Sequence, residues 1–154
     1  MKEIKAVLMD VDGTLTDGKI YLSDQGDEWK AFNVKDGLGI KKLIEVGIIP
    51  VIITGRQSKV VVKRAKELGI KYVYQNAGNK IAALDSFIKA ENIEQFQILY
   101  VGDDDNDLEI MEKCGLCACP ANASNSVKNK CDFISRMNGG DGAVREIIEW
   151  VFNN

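Results

Sequence analysis

The sequence predicts an α/β fold: a mostly parallel, Rossmann-like sheet with helices on both faces, a β-hairpin flap and no cap domain. Three observations predict it. Short apolar runs recur between amphipathic segments. Several of these runs stop at Asp, Thr or Gly clusters that suit the carboxyl ends of strands. The runs are nearly continuous in apolar residues, as strands covered on both faces require.

The elements follow in order. Ile4 to Met9 is a buried strand stopped by Asp10-Val11-Asp12-Gly13. Lys19–Ser23 and Glu28–Asn33 alternate around Asp24-Gln25-Gly26-Asp27, a hairpin signal. Asp36 to Val46 is helical, with Leu38, Leu43, Ile44 and Val46 as its apolar positions. Ile48 to Ile53 is a second buried strand, ended by Thr54-Gly55-Arg56. Ser58 to Leu68 is an amphipathic helix closed by Gly69. A short strand at Tyr72–Tyr74 precedes a helix over Lys80–Lys89. Ile98 to Val101 is a strand ending in Gly102-Asp103-Asp104, and Leu108–Lys113 is helical. Leu116–Cys119 and Phe133–Ile134 are the last strands, before a helix from about Gly142 to Phe152.

The 154 residues, 45% hydrophobic and 28% charged, form one domain over 1–154, with no linker or repeat. Lys plus Arg number 20 against 23 Asp plus Glu, so nucleic acid is not an expected partner. No apolar run reaches the ~20 residues that cross a bilayer. Asp10 interrupts the N-terminal apolar stretch, so a signal peptide is not expected and a cytoplasmic location follows. Cys114, Cys117, Cys119 and Cys131 match no standard zinc spacing and read as reduced, small buried thiols in and around a strand. The chain has no histidine, which excludes His-based triads and His-ligated metals. Chemistry must come from carboxylates, lysine, hydroxyls or a hard cation held by oxygen.

Ligand sites in open α/β sheets lie beyond the carboxyl ends of the strands. Asp10 and Asp12 are two residues apart, so on extended backbone they lean the same way. Adjacent carboxylates are tolerated when a cation lies near or one is protonated. Asp103 ends another strand, and Asp107 would lie over the same helical face. This oxygen-rich set favours Mg²⁺. A lone aspartate at a strand end more often caps a helix, and Asp104 and Asp105 are read that way. Taken singly, Lys80 is a solvated lysine, Arg64 half of a surface ion pair, and Thr54-Gly55 a plain turn. Their order along the chain is what argues for a site: D-x-D-G-T, T-G-R, Lys, then G-D-D-x-N-D.

That ordered set resembles the haloacid dehalogenase superfamily of phosphotransferases, over nearly the whole chain. The resemblance implies that Asp10 is a nucleophile forming an aspartyl-phosphate. It makes Asp12 the general acid, then the base. Thr54 and Lys80 would hold phosphoryl oxygens. Mg²⁺ would bind the Asp10 and Asp103 carboxylates and the Asp12 carbonyl, with Asp107 supporting that shell.

Most superfamily members carry a cap, and none is encoded between the motifs here. The layout is similar to a capless subfamily, the 3-deoxy-D-manno-octulosonate 8-phosphate phosphatases and their sialic-acid-type relatives. Thr16-Asp17-Gly18, Glu28–Gly37, Ile53–Arg56 and Gly139–Glu146 carry that likeness. It implies a homotetramer in which the hairpin Lys19–Asn33, with Tyr21, Trp29 and Phe32, serves as lid to a neighbour. The alternative is a hairpin packed on its own domain. The likeness also implies substrate binding by Gly55, Arg56 and Arg64, the last reaching a sugar-acid carboxylate from a neighbouring subunit. Arg56 favours the eight-carbon substrate of lipopolysaccharide sugar synthesis, where nonulosonate 9-phosphate phosphatases can have Glu. Asp141 departs from the Arg common in the Gly-Gly-x-Gly segment. Two other readings stand beside this one: a non-catalytic tetramerisation domain associated with a sugar-acid cytidylyltransferase, and a phospho-acceptor receiver domain. The latter carries its acceptor on an inner strand, unlike Asp10.

Overall fold

The computed structural model describes residues 3–154. In chain order the elements are β1 (Ala6–Met9), β2 (Tyr21–Leu22), β3 (Glu28–Trp29), α1 (Val34–Glu45), β4 (Ile49–Ile53) and α2 (Lys59–Leu68). They continue as β5 (Tyr72–Tyr74), α3 (Lys80–Glu91), β6 (Ile98–Val101), α4 (Leu108–Met111), β7 (Leu116–Cys119), α5 (Asn125–Lys128), β8 (Phe133–Ile134) and α6 (Ala143–Phe152).

Six strands form one sheet in the order β5-β4-β1-β6-β7-β8, and every pairing in it is parallel. Strand alternation sorts β1 cleanly. Val7 and Met9 face one apolar cluster, with Ile40 and Leu43 of α1, Val61 and Leu68 of α2, and Ile147 and Ile148 of α6. Ala6 and Leu8 face the other, with Leu84 and Phe87 of α3 and Ile110 of α4. Both faces are therefore covered, which is why the strands read as apolar throughout. Among the described residues there is no cap domain and no helix long and apolar enough to cross a membrane.

The chain runs outward from β1 through β4 to β5, then returns to the other side of β1 with β6. The reversal leaves a crevice at the carboxyl ends of β4, β1 and β6. Register sets Met9 beside both Ile52 and Val101. Asp10 therefore emerges between the residues that follow β4 and β6.

Several boundaries differ from expectation. α1 starts at Val34 rather than Asp36, because the Asn33 side chain accepts from Lys35 N–H and caps it. The hairpin strands pair over only two residues each. Leu108–Lys113 is shortened to Leu108–Met111 and preceded by a 3₁₀ turn over Asp105–Asp107. Gly69 closes α2 in the left-handed conformation, as expected. Cys117 and Cys119 are buried and Cys114 and Cys131 half-buried, all free thiols.

Candidate active site

The loop after β1 is wound tightly enough to aim two carboxylates. Asp10 N–H still donates to Val101 O at 2.9 Å, as if the strand continued. The N–H groups of Thr14, Leu15 and Thr16 then converge on Val11 O at 3.0–3.2 Å. The turn needs Gly13 at φ +94°, and a Cβ there would lie 2.1 Å from Asp103 Oδ2. Gly139 is needed for a different reason: its backbone packs on this loop, and a Cβ would stand 1.9 Å from Gly13 O. That contact gives the Gly139–Gly142 segment a role in shaping the site.

Asp10, Lys80 and Asp107 form the buried heart of the crevice. Lys80 opens α3, where Asn79 caps the first turn through Ile81 N–H and Ala82 N–H. Its Nζ donates to Asp107 Oδ1 at 2.6 Å, Asp10 Oδ1 at 2.9 Å and Tyr100 Oη at 3.2 Å. Tyr100 in turn donates to Asp107 Oδ1 at 2.6 Å. Asp107 Oδ2 accepts from Asp103 N–H at 2.9 Å and Asp104 N–H at 3.3 Å. Both Asp107 oxygens are thus engaged by donors, and the residue anchors its neighbours. Asp103 Oδ1 accepts from Thr14 Oγ1 at 2.9 Å.

The electrostatics are those of a site short of positive charge. Burial and the nearby Asp107 raise the Asp10 carboxyl to about 6, although Lys80 opposes the shift. Burial and Asp10 raise Asp103 to about 7. Burial alone would lower the Lys80 ammonium, but Asp10 and Asp107 outweigh it and raise it. One carboxylate oxygen from each of Asp10, Asp103 and Asp107 lies within 4.8 Å of the others. An all-oxygen donor set with unrelieved repulsion fits a hard divalent cation such as Mg²⁺. Asp10 and Asp103 are its better ligands, since donors already engage both Asp107 oxygens.

Thr54 follows β4, is 2% exposed, and is fixed by its N–H to Tyr74 O and its carbonyl to Ala77 N–H. Gly55 borders open space, with no atom within 4 Å of where a Cβ would stand. Arg56 Nη2 donates to Glu28 Oε2 at 2.8 Å. Asp12 does not join the buried cluster; its Oδ1 accepts from Lys30 Nζ at 2.5 Å. Within its own chain Arg64 is engaged by Phe32 and Glu67. Its guanidinium lies 5.9 Å from the centre of the Phe32 ring and 3.5 Å from Glu67 Oε2. Asp104 caps the 3₁₀ turn as expected, and Asp105 accepts from Ser124 and Ser126.

Sequence reasoning gave no role to Lys30, Glu28, Thr14 or Tyr100. Lys30 and Glu28 sit in the stretch Glu28–Gly37, so their place in a motif was visible but their contacts were not. Tyr100 reads only as an apolar strand residue.

A family model for haloacid dehalogenase-like hydrolases matches residues 72–147. The chain is 41% identical over 148 residues to the Escherichia coli (strain K12) 3-deoxy-D-manno-octulosonate 8-phosphate phosphatase, covering 96% of this chain and 79% of that one. A crystal structure of the Yersinia pestis phosphatase of that name superimposes with a TM-score of 0.96 at 39% identity, covering 99% of this chain and 82% of that one. The Moraxella catarrhalis phosphatase, solved with magnesium, phosphate and KDO, gives a TM-score of 0.95 at 43% identity, with coverage of 99% and 87%. With its aspartates, lysine and parallel sheet so arranged, this chain belongs to the haloacid dehalogenase-like hydrolases, in the family of the 3-deoxy-D-manno-octulosonate 8-phosphate phosphatases.

Proposed function

We propose that the chain is a Mg²⁺-dependent phosphatase acting on a sugar-acid phosphate monoester, 3-deoxy-D-manno-octulosonate 8-phosphate. The observation that carries this reading is the Asp10 carboxylate at the sheet's switch point, 2.9 Å from Lys80 Nζ and grouped with Asp103. The relatives' substrate and the likeness across 96% of the chain supply the sugar.

Phosphate-monoester hydrolysis is among the slowest uncatalysed reactions, and a carboxylate nucleophile divides it into two displacements. Asp10 attacks phosphorus and forms an aspartyl-phosphate while the ester oxygen leaves. Asp12 gives that oxygen its proton, then takes one from the water that hydrolyses the intermediate. Lys80 and Thr54 hold the phosphoryl oxygens, and Lys80 also keeps Asp10 aligned. A bound Mg²⁺, held by the carboxylates of Asp10 and Asp103 and the carbonyl of Asp12, would offset the repulsion between nucleophile and phosphate. Asp107 fixes Lys80 and the Asp103 backbone. Gly55 leaves room for the sugar, Arg56 favours the eight-carbon substrate, and Arg64 of a neighbouring subunit is suited to the sugar's carboxylate.

An open site discriminates poorly and admits water. The hairpin exposes Leu22 at 66% and Trp29 at 65%, more apolar surface than an isolated two-stranded ribbon retains comfortably. Copies of this chain, assembled as a homotetramer, would cover those side chains and close each site, bringing Arg64 to a neighbour's substrate. The enzyme would serve lipopolysaccharide sugar synthesis in the cytoplasm.

The test is turnover of the octulosonate 8-phosphate and a nonulosonate 9-phosphate with Mg²⁺, together with light scattering for the assembly. A clear preference for the former, abolished by Asp10→Asn with the tetramer intact, supports the reading. Preference for the nine-carbon substrate overturns the choice of sugar. Activity that survives Asp10→Asn overturns the nucleophile.

A further inference from the structure

Beside the buried cluster stands a second set of charges that the scheme above leaves without a task. Lys30 follows β3 on the hairpin, and its side chain is only 2% exposed. Lysine is seldom buried so completely without partners. Lys30 has two: Asp12 Oδ1 at 2.5 Å and Glu28 Oε1 at 2.9 Å. Glu28 Oε2 is held by Arg56 Nη2 at 2.8 Å. Asp12, Lys30, Glu28 and Arg56 thus form a continuous chain of two carboxylates and two cations. It runs from the loop after β1, across the hairpin, to the loop after β4.

The Asp12 side chain is 24% exposed. A short carboxyl at a crevice mouth has several rotamers open to it, and proton transfer needs the one within hydrogen-bond reach of the departing oxygen. Lys30 engages Oδ1, which leaves Oδ2 to carry the proton. Glu28 pairs with Lys30 by charge and is itself held by a hydrogen bond from Arg56, so Lys30 is more restrained than a lone surface lysine.

We propose that Lys30, braced by Glu28 and Arg56, is a positioning residue that holds the Asp12 carboxyl for proton transfer to the leaving group. The hairpin then has a function within its own chain, besides any cover it gives a neighbour. The proposal rests on the assignment of Asp12 as general acid, and the test separates the two.

The assay is kcat/KM, which reports steps up to departure of the leaving group. Two alkyl phosphates, the octulosonate 8-phosphate and glycerol 3-phosphate, leave as alkoxides that need a proton. p-Nitrophenyl phosphate leaves as a stabilised anion that does not. Lys30→Met should lose roughly 10- to 100-fold on the alkyl phosphates and no more than about threefold on the aryl ester. Lys30→Arg, which keeps a cation within reach, should recover most of the loss. Glu28→Gln, which loosens the brace and leaves Lys30 in place, should show a smaller loss of the same selectivity. No loss, or equal losses on both ester classes in all three variants, overturns the positioning role; where Lys30→Met alone loses both equally, as a folding defect would, Lys30→Arg and Glu28→Gln decide. If Asp12→Asn shows the leaving-group signature and none of these hairpin variants does, the role of Lys30 alone fails. If Asp12→Asn lacks that signature, the acid assignment and the proposal fall together.

Discussion

Asp36 offers a perturbation whose sign and size both follow from its surroundings. It lies in the first turn of α1, only 2% exposed. Oδ1 accepts from Arg145 N–H at 2.8 Å, near the start of α6, while the buried Oδ2 has no hydrogen-bond partner among the described residues. Burial raises the carboxyl from 3.8 to about 6; Arg145 N–H and Arg64 pull it down and Asp141 pushes it up. A shift of that size corresponds to roughly 3 kcal/mol. The folded chain holds this proton more tightly than the unfolded chain does. Ionisation therefore favours unfolding, and stability falls as pH rises between about 4 and 6, then levels off. Asp36→Asn keeps an oxygen for Arg145 N–H and cannot ionise. Its stability relative to the parent should improve by roughly 2 kcal/mol between pH 4.5 and 7.5, most of the full effect. Any constant penalty for the buried amide cancels in that comparison. Urea unfolding followed by circular dichroism at the two pH values, at equal free Mg²⁺, measures it. A difference between variant and parent that stays the same at both pH values, or moves the other way, would show that Asp36 does not hold its proton in the folded chain.

Lys80→Met removes the only ammonium bonded to Asp10 and Asp107 among the described residues, leaving two buried carboxylates unpaired. It should cost about 3–5 kcal/mol in metal-free urea unfolding. Phosphatase activity should fall by at least roughly 100-fold. Gly13→Ala places a Cβ 2.1 Å from Asp103 Oδ2, whereas Gly26→Ala, also at positive φ, meets nothing within 4 Å. Only Gly13→Ala should weaken Mg²⁺ binding, as isothermal titration calorimetry would show. Saturating Mg²⁺ at about 100 times its Kd should raise stability by roughly 2.7 kcal/mol, and Asp103→Asn should abolish most of that gain. With Asp10 and Asp103 raised to about 6 and 7, protons compete for the ligands, so Mg²⁺ affinity should drop as pH falls through that range.

The central strands β1, β4 and β6 were legible because burial on both faces leaves uninterrupted apolar runs, and Asp10, Thr54 and Gly102 mark where they stop. Ile98–Val101 and Leu116–Cys119 match at both ends. Helix starts were less legible where side-chain capping sets them. Asn33 moves α1 two residues earlier than its apolar pattern suggests, and Gly37 and Gly39 weaken the helical signal in its first turns. Asp107 was expected to share a helical face with Asp103. It instead ends a 3₁₀ turn and directs its carboxylate back to Asp103 N–H and Asp104 N–H. The aspartates and Lys80 stand out from sequence because their residue types and order are unusual. Lys30 and Tyr100 do not, because their roles depend on a hairpin folding back and on strand alternation that carries no polar mark.

The division of charge explains why the two parts of the mouth behave differently. Among the described residues one ammonium, Lys80, is paired within the Asp10, Asp103 and Asp107 cluster, to Asp10 and Asp107, so the cluster is two charges short of neutrality when all three are ionised. A divalent cation is the smallest correction, and without it the chain must bind protons instead, as the raised Asp10 and Asp103 values indicate. Asp12, Lys30, Glu28 and Arg56 balance one another without help. On the proposed roles, the acid–base arm can therefore be assembled by folding alone, while the nucleophilic arm would be completed only when metal arrives. On those roles Asp12 is protonated when a phosphate monoester enters, so the quartet then carries one net positive charge on one side, and a bound metal would neutralise the Asp10 cluster on the other. Neither then repels it as three free carboxylates would, and the cost of placing an anionic nucleophile beside an anionic ester is met before the substrate binds.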